Sequence, residues 1–447
     1  SIHMTSMRIT VNITKWQIFR LSIPIFFSNL ALPLVGIVDT GLMGNLENEK
    51  YLIAVSISTT FLTIILWSFG FLRMGTVGLI SQALGKADYR EMVNILLRNI
   101  IIALFISFLI IILKPLLLST LNEIFATSIK TKNLIDNYIS IRIFSAPAEL
   151  IVYVLVGFYL GIQKTFISSL LIITSSILNI IFSIYFVQEL NLNVSGVALG
   201  SLIALYITVV AFSIYTYYFI IKKYKLIPRF NRKNILNYKK IFKLLHINFN
   251  IFIRTILLTF SFFWITYLSS TLGEEYVAIN SILIQLIIIS SFFLDAYAFS
   301  TEGIVGYSIG KRSEKMFLTT VKNSLILSFV TGLIISLVFF FSAKEIINLI
   351  TSIEFLRFLS YKYLLWVILI PPLASFCYQL DGIFIGATQT SEIRNAMIIS
   401  VSLYLVLSIF LTQELHNYGI WFSLMILMIL RASTLHFFFP KILKKFK

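Results

Sequence analysis

Three stretches of this chain, residues 165–187, 194–221 and 323–341, hold no charged side chain at all. A helix rising about 1.5 Å per residue needs about 20 mostly apolar residues to cross the hydrocarbon of a bilayer, and each stretch is of that order. Nine further runs, at 16–44, 51–84, 92–118, 129–162, 240–272, 276–309, 359–387, 396–412 and 419–439, are apolar enough to span with a few polar residues inside them. The sequence therefore predicts an all-α integral membrane protein of twelve transmembrane helices.

Composition excludes the soluble alternatives. The chain is 58% hydrophobic and 12% charged, against about 25% charged residues in a water-soluble domain. So little polar surface cannot cover a soluble body of 447 residues. The net charge of +17 would point to nucleic acid only if the bases formed one exposed face. They lie instead in short tracts between apolar runs, so no nucleic acid partner is expected. Cys377 is the single cysteine, which rules out an intrachain disulfide or a thiolate metal cluster. The leading Ser1-Ile2-His3-Met4 reads as a cloning remnant ahead of the native start. The first apolar run is long and holds an acid, so it is expected to be a permanent helix rather than a cleaved signal.

The loops set the expected orientation. One alternating set is basic: Lys86 and Arg90, Lys164, Lys311-Arg312 with Lys315, Arg394, and Lys441, Lys444, Lys445 and Lys447 at the tail. The other carries Glu47 and Glu49, Glu189, Glu274-Glu275 and Glu414. Lysine and arginine are retained on the cytoplasmic side, so both termini are expected there, in a bacterial inner membrane. Residues 222–243 hold nine bases and no acid, between the sixth and seventh runs. A topology anchor explains that segment most simply; binding of anionic lipid headgroups is the sharper reading. The expected division is an amino-terminal six-helix lobe at 16–221, a basic linker at 222–239 and a carboxy-terminal six-helix lobe at 240–440.

The two lobes are related by a shift of 225 residues. It carries Gly78, Gly85 and Lys86 onto Gly303, Gly310 and Lys311, and Pro147, Gly157, Gly161 and Thr165 onto Pro372, Gly382, Gly386 and Thr390. Two separated regions share one ungapped offset, which marks two copies of one helical unit. Six helices per copy give both the same polarity in the membrane. Such parallel repeats occur in secondary transporters, where the halves rock about a site between them. That pattern predicts transport and disfavours a receptor.

A charge near the bilayer centre costs at least about 2.5–3.5 kcal/mol on insertion scales, so it should face the interior and serve a purpose. Asp39 lies mid-span in the first run, and Pro24 and Pro33 allow that helix to bend or break near it. A carboxylate there can hold a proton or a cation. Arg254, Asp295, Glu302 and Asp381 form a second group in the other half, and their mixed signs favour mutual pairing. Arg73, Arg142, Glu149 and Arg431 carry less information, some being near enough to an interface to snorkel. His246, His416 and His436 show no ligand spacing and are expected at interfaces or exposed. No Walker-type loop, HExxH or nucleophile elbow is present. The chain is thus read as no enzyme and as needing no cofactor, with transport drawing on an ion gradient.

Several of these stretches resemble the multidrug and toxic compound extrusion (MATE) transporters. They are Gly36-Ile-Val-Asp39-Thr40, Trp67-Ser-Phe-Gly-Phe-Leu-Arg73-Met-Gly-Thr-Val-Gly78, Gln82-Ala-Leu-Gly85, Leu294-Asp295-Ala-Tyr-Ala, Leu380-Asp381-Gly-Ile-Phe-Ile-Gly386-Ala-Thr388 and Glu392-Ile-Arg394-Asn395. The wording is similar to the DNA-damage-inducible F (DinF-like) branch, and the resemblance runs from about Trp16 to Pro440. It implies two lobes around a central cavity and export driven by H⁺ or Na⁺. It also implies an amino-lobe cation site of Asp39, Tyr138, Asn179 and Ser201, with Ser183 standing where the family has a second acid. By the same resemblance Arg254 stands at about the position of a carboxy-lobe Glu, with Asp381 retained. An arginine there would repel a cation and pair with Asp381.

The expectation is a monomeric antiporter that exchanges H⁺, or alternatively Na⁺ at Asp39, for hydrophobic cationic or amphipathic compounds. A lipid or lipid-linked precursor flippase is the alternative, with Arg254 or Arg73 as phosphate ligands. A membrane-embedded transferase would need acids and histidines clustered near one interface, and the sequence has none.

Overall fold

A computed structural model describes residues 13–125 and 127–447; Ser1-Ile2-His3-Met4, expected to be a cloning remnant, lies outside them. Among the described residues the secondary structure is helical throughout, without strands. Twelve helical spans are long and apolar enough to cross a membrane. They are α1 (Lys15–Gly44), α2 (Glu49–Gly85), α3 (Tyr89–Ile112), α4 (Ile129–Gly161), α5 (Thr165–Glu189), α6 (Val194–Tyr224), α7 (Tyr238–Leu272), α8 (Glu274–Gly310), α9 (Glu314–Ile350), α10 (Leu364–Gly386), α11 (Thr390–Leu415) and α12 (Asn417–Phe446). All twelve apolar runs are found.

Several boundaries differ from expectation, among them the start of the run at 359–387, where a separate helix ends at Tyr361 before α10 begins at Leu364; two others have clear local reasons. The run at 92–118 is cut, because α3 stops at Ile112 and a separate helix, Lys114–Ile124, begins with Pro115 in its first turn. Proline lacks the N–H that a continuing helix would need, but suits a helix start. The run at 323–341 extends to a 37-residue helix, started by Ser313, whose side chain accepts from the Met316 amide. Hydropathy detects only the part that lies in hydrocarbon, not a polar first turn with its own cap.

The chain forms two compact units, Pro24–Phe252 and Ile253–Lys447, the second also containing residues 13–23. In the first, Met43, Val55, Ile135, Tyr138 and Val197 belong to one buried cluster. In the second, Leu283, Val367, Tyr404, Trp421 and Leu424 do. The 225-residue shift recurs atom by atom inside these units. Phe71–Gly85 packs along Ala146–Gly161, and the equivalent stretch of α8 packs along α10. A Cβ at Gly157 would lie 2.6 Å from the Arg73 carbonyl oxygen; one at Gly382 would lie 2.9 Å from that of Ala298. Both pairs are 225 residues apart, so the conserved offset of the glycines records a contact of backbone against backbone.

The helix ends repeat as well. Non-glycine residues with positive φ occur at Ala87 and Arg312, at Gln163 and Thr388, and at Asn191 and His416, with φ between 52° and 61°. Each pair obeys the same shift. At the first two pairs the following amide reaches back five residues, as in Asp88 to Ala83 (3.0 Å) and Ser313 to Ser308 (2.9 Å). That closure satisfies carbonyls which the helix end would otherwise leave bare. A positive φ is unfavourable for a non-glycine residue, costing about 1–2 kcal/mol in the left-handed helical region, so its recurrence reflects a turn imposed by the surrounding packing.

Candidate functional site: a buried acid in one unit and a charge triad in the other

In the unit Pro24–Phe252, α1 runs unbroken through Pro24 and Pro33 to carry Asp39. Asp39 is buried, and its Oδ1 has no hydrogen-bond partner. Its electrostatic neighbours are Arg142 on α4 and the Ser183 hydroxyl on α5. Ser183 and Asn179 sit one helical turn apart on the same face of α5, and the Ser183 hydroxyl donates to Asn179 Oδ1 at 3.1 Å. Asn179 Nδ2 donates in turn to Ser201 Oγ on α6 at 3.0 Å. The approach of α5 to α6 needs Gly200, where a Cβ would fall 2.6 Å from Ser183 Oγ. The structure thus gathers Asp39, Asn179, Ser183 and Ser201. Buried Tyr138 adjoins them through Arg142, one turn along α4.

Arg142 and Glu149 belong to this group, although their positions in the sequence offer little reason to choose them. Arg142 Nη2 meets Glu149 Oε2 at 3.0 Å, and Nη1 donates to Ser145 Oγ. The first contact spans, and the second ends in, a 3₁₀ turn, Ile143–Ser145, placed just before Pro147. The missing proline N–H interrupts the α-helical pattern, and a mid-helix 3₁₀ stretch commonly marks a hinge. The available signal was spacing: Tyr138 and Arg142 are one turn apart, and Glu149 lies two turns beyond Arg142. A cavity of 540 Å³ lies beside the end of α1, lined by Val38, Leu42 and Asn45 together with Val187, Gln188 and Asn191. Its wall includes a π-helical turn, Tyr185–Glu189, that ends α5.

In the unit Ile253–Lys447, Asp381 on α10 is the hub. Its Oδ2 accepts from Arg254 Nη2 of α7 and from Arg431 Nη2 of α12, each at 2.7 Å. Arg431 is 2% exposed and lies over the Tyr378 ring, 5.7 Å from its centroid. It therefore does not snorkel: α12 carries it inward, onto the acid. Asp295 on α8 is an electrostatic neighbour of Cys377 and Tyr378 on the same stretch of α10. Glu302 is buried two turns farther along α8, where its carbonyl oxygen faces Gly386. His246, His416 and His436 are all exposed. Among the described residues no three His, Cys, Asp or Glu side chains converge as a metal site would require.

The model of the family described as MatE matches this chain twice, at residues 24–185 and 251–412. The chain belongs to the MatE family. DNA damage-inducible protein F of Escherichia coli (strain K12) is 31% identical to it over 423 residues, which is 94% of this chain and 90% of that one. Multidrug export protein MepA of Staphylococcus haemolyticus is 26% identical over 194 residues, 43% of each chain. The crystal structure of the Vibrio cholerae MATE transporter VcmN in its bent form superposes with a TM-score of 0.87, at 17% identity over 97% of each chain. The DinF-like and MATE resemblance of the sequence motifs is thereby established, and so is the twelve-span, two-lobed MATE fold.

Proposed function

We propose that the protein exports hydrophobic cationic or amphipathic small molecules in exchange for H⁺. The observation that carries this reading is Asp39: a buried carboxylate in the last third of α1 with one oxygen unpartnered, surrounded by neutral oxygens and one guanidinium. An intramembrane acid held without a dedicated counter-ion of its own is poised to gain and lose charge. A similar MatE protein, the multidrug export protein of Staphylococcus haemolyticus, supports the same substrate class.

Proton coupling fits the donor set better than Na⁺ coupling. Hard cations are held by oxygen ligands, and their affinity rises with the number of charged ones. Beside Asp39 stand the hydroxyl of Ser183 and the Asn179–Ser201 pair, all uncharged, while Arg142 adds a positive charge that a cation must oppose. A proton needs only the carboxylate. When Asp39 is ionised, Arg142 is shared between it and Glu149; when Asp39 is protonated, Arg142 is left to Glu149 alone. The cavity beside Val38 and Leu42 is a fitting place for an amphipathic substrate, being walled by aliphatic side chains and amides. On this reading two six-helix lobes, 16–221 and 240–440, alternate access in a bacterial inner membrane, and bending of α1 at Pro24 and Pro33 relays the state of Asp39. In the other unit Arg254 is engaged with Asp381, which leaves it a poor phosphate ligand for a flippase.

The test is substrate efflux from proteoliposomes with H⁺ and Na⁺ gradients imposed separately. Efflux should follow the H⁺ gradient, and Ser183→Asp should add Na⁺ sensitivity. Efflux that follows Na⁺ in the unmodified protein and ignores pH would overturn proton coupling.

A further inference from the structure

The stretch from the end of α6 to the start of α7 carries more positive charge than the acid beside it, Glu91, can balance. All nine bases between Lys222 and Lys243 are exposed. Among the described residues only Lys240 has an acid within ion-pair distance, Glu91 at 2.8 Å. Two neighbouring loops add to the excess: Lys164 is an electrostatic neighbour of Lys223, and Lys86 of Lys243. So much like charge on one face repels itself unless an anionic partner is supplied.

Retaining a loop on one side of a membrane requires only its charge, not a fixed shape. This segment is fixed. The buried Arg98 of α3 donates through Nε to the Ile235 carbonyl at 2.9 Å and through Nη2 to that of Asn234 at 2.8 Å. Arg90 donates to the Ile227 carbonyl at 3.1 Å. Ile235 is fully buried beneath a short turn, Arg232–Ile235, capped by Asn231. The chain is held by arginines of α3 through its backbone, so its own bases stay turned outward. Apolar groups are interleaved with them. Tyr238 and Phe242 stack one helical turn apart at the start of α7 and are 79% and 63% exposed. Exposed Phe230 adds a third ring. Aromatic rings at the end of a span sit at headgroup depth, and bases beside them meet phosphate.

We propose that residues 222–243, held on α3 by Arg98, form a binding surface for the headgroups of anionic phospholipids. The aromatic rings enter the interface, and Arg229, Arg232, Lys233 and Lys239 contact the phosphates. The surface is independent of the coupling ion and the exported substrate.

The experiment uses the purified full-length protein in a neutral detergent, titrated with phosphatidylglycerol or with phosphatidylcholine of the same chains, and counts bound lipids by native mass spectrometry. Phosphatidylglycerol should be retained over phosphatidylcholine, and the preference should fall as salt is raised from about 0.05 M to about 0.5 M. The quadruple variant R229Q/R232Q/K233Q/K239Q should weaken retention by at least about tenfold. The charge-preserving R229K/R232K/K233R/K239R should retain most of it. Should the neutralised variant not fold, the salt dependence of the unmodified protein decides the matter. Equal retention of the two lipids, a preference insensitive to salt, or full displacement of phosphatidylglycerol by millimolar inorganic phosphate would each overturn the proposal.

Discussion

Asp39 and Asp381 are both buried acids within apolar spans, yet their surroundings oppose each other. One oxygen of Asp39 is unpartnered, whereas a single oxygen of Asp381 takes two guanidinium groups. An acid that must change charge cannot be locked by permanent ion pairs, so Asp39 suits coupling and Asp381 suits architecture. Asp39→Asn should abolish gradient-driven efflux while leaving expression and the detergent melting point within a few degrees; wild-type efflux from this variant under an imposed pH gradient would remove Asp39 from the mechanism. Asp381→Asn should cost about 3–5 kcal/mol of stability, because it strands two buried cations. Arg254→Gln should cost less, since Arg431 still neutralises Asp381. The double variant should be less damaged than the sum of the singles, and additive losses in thermal melts would argue that the two residues are not coupled. The sequence showed Asp39, Arg254 and Asp381 because a charge within an apolar run stands out. It hid the role of Arg431 and the Arg142–Glu149 pair, because which charges meet depends on the rotation of each helix, and pattern alone does not fix that.

At the scale of helices, the legible features were those that hydropathy or an unusual residue type writes into the chain. Twelve spans were readable from apolar length, and the repeat from glycine and proline. The 3₁₀ turn at Ile143–Ser145, the π-helical turn at Tyr185–Glu189 and the break at Leu113 were not. Each is a local departure of one turn, set by Pro147, by packing against α6 or by Pro115, inside a run that hydropathy reads as continuous. The glycines of the repeat allow a direct check of the packing argument. Gly157→Ala and Gly382→Ala each push a methyl group against a backbone carbonyl, which cannot rotate away, and should lower stability by about 1–3 kcal/mol. Gly36→Ala meets nothing within 4 Å and should be neutral or stabilising by about 0.5–1 kcal/mol. Thermal melts of the three variants in one detergent test this together; a destabilised Gly36→Ala with an unaffected Gly157→Ala would refute it.

For the whole molecule, the number of spans and the placement of bases make one joint prediction about sidedness. An even number of crossings puts the two ends of the chain on the same side, and six crossings on either part put residues 222–237 there as well. The bases then choose which side. Nine lie between Lys222 and Lys243, from the end of α6 to the start of α7, and more lie in the turns after α2, α4 and α8 and at Arg394 near the start of α11, whereas Glu47, Glu189, Glu274 and Glu414 mark the alternate side. Because Lys and Arg counted over short loops decide orientation, the ends and the α6–α7 segment are expected in the cytoplasm. Reporter fusions active only in the cytoplasm should therefore report at the carboxy terminus and at Asn237, and remain silent at Glu47 and Glu274. Replacing several linker bases by glutamine should not invert the protein, because the bases in the turns after α2, α4 and α8 still hold it. That separates topology from lipid binding, for which the same replacement is expected to matter. A carboxy-terminal reporter active on the opposite side from one at Asn237 would mean an odd number of crossings in the second part, and would refute the twelve-span count itself.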